Sequence, residues 1–315
     1  MVTFIETSRM LIPRRMLSKR ELHSLTSGFS NDVPVATFQN GDSPPRLHPH
    51  LPKVMVVGFS HCGGNIVMSA LAAHPHVALN FKHLKYFHSN RSLRWYLSQM
   101  PPSLDHHVTI DVGYSYVTNT TVLEKLKAFN ESLKIIVFLC DPISRLLDNH
   151  THFLYRHQTE AAYPGNILDE KNIVESLIKV IINKANQTLD YLTLAHFGKY
   201  LQNISELFRI FPRDQVLIME KNRFFENPDT EMTKLHKFLG VKVHSRFENL
   251  RYDRASETFC YNLTFWRSMC IKGPVKNISR LMGVKHQGVL KAMQHFYAPL
   301  NKQLYLYLGE EYNWH

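Results

Sequence analysis

Apolar runs of strand length alternate with segments of helical periodicity along most of the chain. Runs of apolar and β-branched residues predict four strands, at Val54–Val57, Val108–Asp111, Lys134–Leu139 and Gln215–Met219. Apolar residues at helical spacing predict helices, at Ile66–Ala73, Val122–Phe129, from Ile143 onward and at Glu231–Leu239. Strands that alternate with helices predict an α/β fold with a central parallel sheet flanked by helices, and ligand loops at the carboxyl ends of its strands.

Two helix boundaries carry their own signals. Pro142 suits the first position of a helix, and Asp141 before it is a favourable capping residue. Gly240 follows the helix Glu231–Leu239, where a glycine readily adopts the left-handed conformation that ends helices.

The first predicted strand leads into Ser60-His61-Cys62-Gly63-Gly64-Asn65, and a helix follows. A glycine-containing loop between a strand and a helix presents backbone N–H groups to an anion, so one interpretation is a phosphate cradle. The other is an ordinary turn with two glycines, which the lack of a lysine after the turn favours. Both interpretations stay open on this segment alone.

The length and composition of the chain indicate the size of the folded domain and its net charge. The 315 residues, 44% of them hydrophobic, suit one large α/β domain. Lys and Arg number 37 against 26 Asp and Glu, a net charge of +11, and 19 His can add positive charge in a mildly acidic compartment. A polyanionic partner is therefore favoured. Nucleic acid, an anionic membrane and a sulfated glycan all fit, as does a basic surface without a partner.

Eight Asn-x-Ser/Thr triplets indicate a lumenal protein, because only about two are expected by chance. They begin at Asn90, Asn119, Asn130, Asn149, Asn186, Asn203, Asn262 and Asn277. Asn149 lies in a predicted helix with a buried face, so we do not expect its glycosylation. The triplets predict a glycoprotein of the secretory pathway, which disfavours a nucleic-acid partner.

The first fifty residues differ in character from the rest. They contain no apolar run long enough for a signal peptide or a membrane anchor. From Ser18 to Pro52 the chain is mostly polar, and Pro44-Pro45 and His48-Pro49-His50 interrupt regular structure. We predict a flexible stem at 1–50 and a folded domain at 51–315.

From about Leu51 to His315 the chain contains a series of short segments whose order and spacing are informative. They are the glycine loop, Trp95-Tyr96, Met100-Pro101, Tyr114-Ser115-Tyr116, Asp141-Pro142 with Arg145, Phe211-Pro212, Phe238-Leu239-Gly240, Cys260, Cys270 and Tyr312-Asn313-Trp314-His315. In this order and spacing the chain resembles the heparan sulfate sulfotransferases, most of all the glucosamine 3-O-sulfotransferases. The resemblance implies a P-loop-like sulfotransferase fold in the Golgi lumen. It also implies transfer of sulfate from 3′-phosphoadenylyl sulfate (PAPS) to heparan sulfate.

The positions that would bind PAPS carry other residues in this chain. In the loop His61-Cys62-Gly63-Gly64-Asn65, His61 replaces the family's lysine and Gly64-Asn65 replace a Thr-Arg pair. The arginine and serine that hold the 3′-phosphate fall on Cys140 and Asp148, and a carboxylate would repel a phosphate. Charge-assisted hydrogen bonds contribute roughly 1.5–3 kcal/mol each. Ordinary PAPS affinity is therefore not expected.

The family's catalytic glutamate falls on His83. An imidazole is a good proton acceptor near neutral pH, so His83 is the candidate base. Lys85 and His88 in the same segment are candidate substrate contacts, and a protonated His61 could replace the missing lysine. Three hypotheses remain: an active PAPS-dependent sulfotransferase, a degenerate relative that binds heparan sulfate without turnover, and, least favoured because of the glycosylation triplets, a nucleic-acid-binding protein.

The four cysteines divide into two kinds. Cys260 and Cys270 bracket a short loop and match the family's pair, so we predict a disulfide between them. Cys62 and Cys140 stand alone in the sequence. Together with His61 and His83 they could face one crevice, but the spacing fits no zinc motif, so no metal is expected.

Overall fold

The computed structural model describes residues 47–72, 74–160, 170–183, 188–243, 250–253, 258–264, 267–272 and 282–314. For the described residues between 250 and 272, the structure defines the backbone only. The elements from β2 onward belong to one compact unit, Pro49–His315. The predicted stem at 1–50 lies almost entirely outside the described residues and stays a prediction.

The described residues include ten strands. They are β1 His48–Pro49, β2 Val54–Gly58, β3 Val77–Asn80, β4 Pro102–Ser103, β5 Val108–Val112, β6 Lys134–Leu139, β7 Val216–Glu220, β8 Leu250–Asp253, β9 Thr258–Thr264 and β10 Arg267–Lys272. Five of them form a central sheet in the order β3-β5-β2-β6-β7, with every pair parallel. β8, β9 and β10 form a separate antiparallel sheet.

The described part of the chain also contains ten α-helices. They are α1 Gly64–Leu71, α2 Leu93–Gln99, α3 Thr120–Phe129, α4 Pro142–Glu160, α5 Glu170–Ile181, α6 Tyr191–Gly198, α7 Tyr200–Ile210, α8 Lys221–Glu226, α9 Pro228–Leu239 and α10 Gln287–Leu308. Short 3₁₀ turns lie at Tyr86–His88, Tyr116–Thr118, Arg213–Gln215 and Val284–His286. Among the described helices, none combines the length and apolar character needed to cross a membrane.

The position of β2 fixes where a ligand site lies. Every residue of β2 is buried, and so are the last five of β6, because a parallel sheet with helices on both faces is covered from two sides. From the central β2 the chain reaches β3 and β5 on one side and β6 and β7 on the other. The carboxyl ends beside β2 thus meet at a topological switch point, where ligands bind in folds of this kind.

Among the residues that the structure describes, the buried apolar side chains form two hydrophobic cores. The larger one surrounds the central sheet. The smaller one joins apolar residues of α4, α5, α6 and α10. There the buried hydroxyl of Tyr297 donates a hydrogen bond to the carbonyl of Leu194 at 2.8 Å, which ties α10 to α6.

The predicted α/β fold, with its central parallel sheet flanked by helices, is confirmed. All four predicted strands exist, each within one residue of its predicted ends. Asp141 accepts a hydrogen bond from the Ser144 N–H at 2.8 Å before α4, and Gly240 ends α9 at φ 75°. The pattern missed β3, where buried and half-buried residues alternate over four positions, and it missed the antiparallel sheet.

Candidate functional site

The residues predicted to bind donor and substrate lie at the carboxyl edge of the central sheet. The glycine loop follows β2, His83 follows β3, Cys140 follows β6 and Asp148 lies in α4. Lys221, which the sequence did not single out, begins α8 directly after β7. Because the strands are parallel, these five positions share one edge.

The two loop glycines are required by packing within the protein. Gly63 has φ 78° and caps α1. A Cβ at Gly63 would lie 3.4 Å from Lys221 Cγ, and one at Gly64 would lie 2.7 Å from Tyr114 Cε1 and 2.8 Å from Phe138 Cδ2. An alanine at Gly64 would therefore collide with two aromatic rings. The glycines do not by themselves indicate a phosphate site.

A disulfide joins the loop to the neighbouring strand. Cys62 and Cys140 are bonded across 78 positions of the sequence, and both are about 1% exposed. The hydroxyl of Tyr200 lies 3.8 Å and 4.0 Å from their sulfurs. The two sulfurs are therefore not free ligands for a metal, and Cys140, which the sequence predicts at the 3′-phosphate position, is part of a cross-link.

Arg145, which matches the family, is used to hold the loop. Its Nε donates to the Ser60 carbonyl at 3.1 Å and its Nη1 to the Phe197 carbonyl at 3.1 Å. The guanidinium also lies over the rings of Phe59 and Tyr200, at 4.9 Å and 5.5 Å. This buried cation thus serves backbone carbonyls and aromatic faces.

Asp148 has a cationic partner. Lys221 Nζ lies 2.6 Å from Asp148 Oδ2, and the side chains are 4% and 32% exposed. The lysine stem packs against Gly63. A lysine therefore lies beside the glycine loop, but it is the first residue of α8 and its charge is directed to a carboxylate.

His61 is neutral over most of the physiological range. Burial, the neighbouring His152 and two nearby cations lower the pKa of His61 to about 4, although Asp148 acts in the opposite direction. Its ring lies 5.3 Å from that of His152. The idea that a protonated His61 replaces the family's lysine is therefore not supported.

The ring of Tyr114 lies between His83 and the glycine loop. Its ring centroid is 5.2 Å from that of Tyr114, and Tyr114 packs against Gly64. Burial, and then Lys85, lower the pKa of His83, so the imidazole is neutral and able to accept a proton at pH 7. The Tyr114 hydroxyl is buried without a hydrogen-bond partner among the described residues.

The segment after β3 carries a basic residue at every third position. These residues are Lys82, Lys85, His88, Arg91 and Arg94, and all five are exposed. Within the described part of the chain none of them forms an ion pair, and the Arg91 guanidinium lies 4.8 Å from the Trp95 ring centroid. We call residues 82–94 the basic segment. Its period of three was visible in the sequence, but only Lys85 and His88 were singled out there.

An aromatic layer supports the basic segment. Tyr86 stacks on Tyr96 with centroids 4.1 Å apart, and Phe87 packs edge-on against both rings. The Tyr96 hydroxyl donates to Asp111 Oδ2 at 2.6 Å. Burial raises the pKa of Asp111 to about 6, despite this hydrogen bond. Asp111, at the end of β5, thereby anchors the segment to the sheet.

The chain terminus closes the other side of the site. Trp314 Nε1 donates to Glu220 Oε1 at 3.0 Å, and its ring lies 5.6 Å from Tyr200. Burial raises the pKa of Glu220. The tail that carries part of the family resemblance therefore packs next to Lys221 and the disulfide.

Cys260 and Cys270 occupy partner positions of β9 and β10. Their side chains lie outside the described part of the structure, so their disulfide stays a prediction. The strand register places the two backbones opposite each other, as a short cross-strand disulfide requires.

Comparison with known proteins adds a family to this geometry. Residues 51–292 match the sulfotransferase domain. Heparan sulfate glucosamine 3-O-sulfotransferase 5 of Mus musculus is 22% identical over 291 residues, 88% of this chain and 80% of that protein. For the 3B1 enzyme of Homo sapiens the identity is 22% over 285 residues, covering 89% and 68%.

A solved structure supports the fold. The sulfotransferase of Alicyclobacillus acidocaldarius matches with a TM-score of 0.56 and 15% identity, over 84% of this chain and 98% of that one. The parallel sheet, the glycine loop after its central strand and the extent of the domain match agree with one another. The chain belongs to the sulfotransferase family.

Proposed function

We propose that this protein binds heparan sulfate, or a glycan of similar charge, through the basic segment and does not transfer sulfate from PAPS. The single observation that carries the proposal is the Lys221–Asp148 ion pair beside the glycine loop. In an active site of this family the cations near the loop would face donor phosphates. Here the lysine is neutralised by a carboxylate at the position expected to hold a phosphate.

The donor does not fit the residues present. A phosphate placed near Asp148 would meet a carboxylate and would have to compete for Lys221, whose ammonium is almost fully buried. His61 is neutral, and Arg145 already serves two carbonyls. Among the described residues at the loop, Lys221 is paired and Arg145 is directed to carbonyls, so they do not offer a donor the charge stabilisation that sulfuryl transfer needs.

The basic segment has the opposite character. Its five exposed basic residues have no acidic partners among the described residues, and the segment packs on stacked aromatic rings that are hydrogen-bonded to Asp111. Cations that are not already paired can exchange counterions for the sulfates of a glycan chain. The named relatives act on heparan sulfate glucosamine, which makes that glycan the first candidate.

Two measurements on the purified chain test the proposal. On a heparin column we expect retention at low ionic strength and elution by salt. In a transfer assay with PAPS and heparan sulfate we expect no sulfate incorporation above the rate without protein. Passage through the column unretained would contradict glycan binding, and turnover with PAPS would contradict the loss of catalysis.

Two observations favour a second candidate, an active sulfotransferase with His83 as base. His83 stands at the family's glutamate position, and its lowered pKa leaves it unprotonated at pH 7. The helix α1 also begins at Gly64 without a side-chain cap from the described residues, which leaves N–H groups for an anion. If transfer is detected, His83→Ala should abolish it while heparin retention is unchanged.

A further inference from the structure

The opposite edge of the central sheet brings together histidines that are far apart in the sequence. His76 directly precedes β3, and His106 and His107 directly precede β5. The two strands pair in parallel with Val77 opposite Val108, and the Val108 N–H donates to the His76 carbonyl at 2.8 Å. The register therefore places His76 beside His107.

The three imidazoles converge. One ring nitrogen from each lies within 4.8 Å of the other two. Ring centroids are 5.3 Å apart for His76 and His106, 6.0 Å for His76 and His107, and 4.6 Å for His106 and His107. His76 and His106 are exposed and His107 is half-buried, so solvent and ions can reach the cluster.

This geometry is close to that of a metal site. In a tetrahedral zinc site with bonds of about 2.0–2.1 Å, neighbouring nitrogens lie roughly 3.3 Å apart, so small side-chain rotations would complete the ligation. Neutral imidazole suits zinc and its first-row neighbours. We propose that His76, His106 and His107 form a binding site for a zinc-class divalent ion, with three imidazole ligands and an open fourth coordination position.

The turn that carries two of the ligands is held in place. Lys53 Nζ donates to the carbonyls of Asp105 and His107, at 2.9 Å and 3.0 Å. Asp105 also accepts from His50 Nε2 at 2.9 Å. Because this turn is already held in place next to a strand end, His106 and His107 lose little conformational freedom when they bind a metal.

Nearby charges act in both directions. The Lys53 ammonium repels a divalent ion, and the long contact from the Leu104 N–H to His107 Nδ1, 3.4 Å, competes for that nitrogen. The Asp105 carboxylate partly offsets the lysine.

Zinc titration of the chelator-treated full chain tests the site. We expect one saturable site by calorimetry, and a zinc-dependent rise in the thermal unfolding temperature. His76→Ala and His107→Ala should each weaken zinc binding at least about tenfold. Cobalt added instead should give the visible absorption of tetrahedral coordination in the parent and lose it in both variants.

The matched control is His295→Ala, an exposed histidine of α10, which should leave zinc affinity unchanged. All variants should unfold at the parent temperature without metal, which excludes a folding defect. Equal zinc affinity in the parent, His76→Ala and His107→Ala would overturn the proposal, and so would no saturable binding by the parent. Heparin retention is read separately, because the cluster lies at the sheet edge opposite the proposed glycan site.

Discussion

The glycine loop and the basic segment are neighbours at one edge of the sheet, yet they treat charge in opposite ways. Around the loop, Lys221 is paired with Asp148 and Arg145 serves backbone carbonyls. In the basic segment the cations are exposed and have no acidic partner among the described residues. The charged side chains around the loop are bound within the protein, whereas those of the basic segment are available to bind a partner outside the chain.

The backbone of the glycine loop can be considered separately from the side chains that would contact a ligand. The loop keeps its position, its left-handed Gly63 and its helix, which packing alone explains. The charged groups around the loop, Lys221, Asp148 and Arg145, instead bind one another or the backbone. On our proposal, the fold retains the shape of a donor site while its charged groups are used within the protein, and the adjacent basic segment binds the glycan.

The largest expected effect comes from the disulfide that fixes the loop. Replacing both Cys62 and Cys140 with alanine should lower the free energy of unfolding by about 4–5 kcal/mol, because a loop of 78 positions is released in the unfolded chain. Equilibrium urea unfolding measures this. Cys260→Ala with Cys270→Ala opens a much shorter loop and should cost about 2–3 kcal/mol. Unchanged stability of the first double variant would mean that the loop is not cross-linked.

Charge reversal tests the basic segment. Lys82→Glu, Lys85→Glu, Arg91→Glu and Arg94→Glu together should weaken heparin binding about 30- to 1,000-fold at low salt, at roughly 0.5–1 kcal/mol per cation. The control reverses four exposed lysines elsewhere, Lys125, Lys237, Lys291 and Lys302, for the same change in net charge. Similar losses in both variants would show that net charge, and not the segment, binds the glycan.

The anchor of the basic segment predicts a pH dependence. The pKa of Asp111 is about 6 in the folded protein, above the ordinary value of 3.8. The folded state therefore holds this proton more tightly, and the stabilisation is lost as pH rises from about 4 to about 6. The unfolding free energy of the parent minus that of Asp111→Asn should fall by up to about 3 kcal/mol across this window.

Urea unfolding at several pH values gives this difference directly. The subtraction removes the opposite contribution of His61, whose lowered pKa costs stability as pH falls from 6.5 to about 4. A difference that stays constant from pH 4 to pH 6 would show that Asp111 is not buried as described. The segment would then lack its anchor.

The smallest effect concerns the ion pair. Asp148→Ser should release Lys221 toward the loop and raise the affinity for adenosine 3′,5′-bisphosphate about 5- to 30-fold. Adding Lys221→Met should remove the gain. We leave Cys140 unchanged, because an arginine there would break the disulfide. Equal nucleotide affinity in the parent and in Asp148→Ser would show that Lys221 does not reach the loop.

The sequence predicted the sheet well because its signal is local. The buried strands β2 and β6 are continuous apolar runs, and Asp141 and Gly240 carry their boundary signals in the residue type. The positions of His61, His83, Cys140 and Asp148 at one edge followed from parallel pairing. β3 was missed because four residues with alternating burial give too short a pattern.

The interactions across strands could not be read from the chain. Cys62 and Cys140 lack a spacing signal, and only the adjacency of β2 and β6 joins them. Lys221 reaches the glycine loop from the start of α8, after β7, and no local motif indicates this placement. His76 and His107 likewise meet only through the β3–β5 register.

The central claim is that the site at the glycine loop no longer binds the donor nucleotide, whereas the basic segment still binds the glycan. Calorimetric titration of the parent chain with adenosine 3′,5′-bisphosphate, beside a heparin titration under the same conditions, tests it most directly. We predict no saturable nucleotide binding up to about 1 mM, which corresponds to less than about 4 kcal/mol, and clear, salt-sensitive heparin binding. Micromolar nucleotide binding by the parent would contradict the claim.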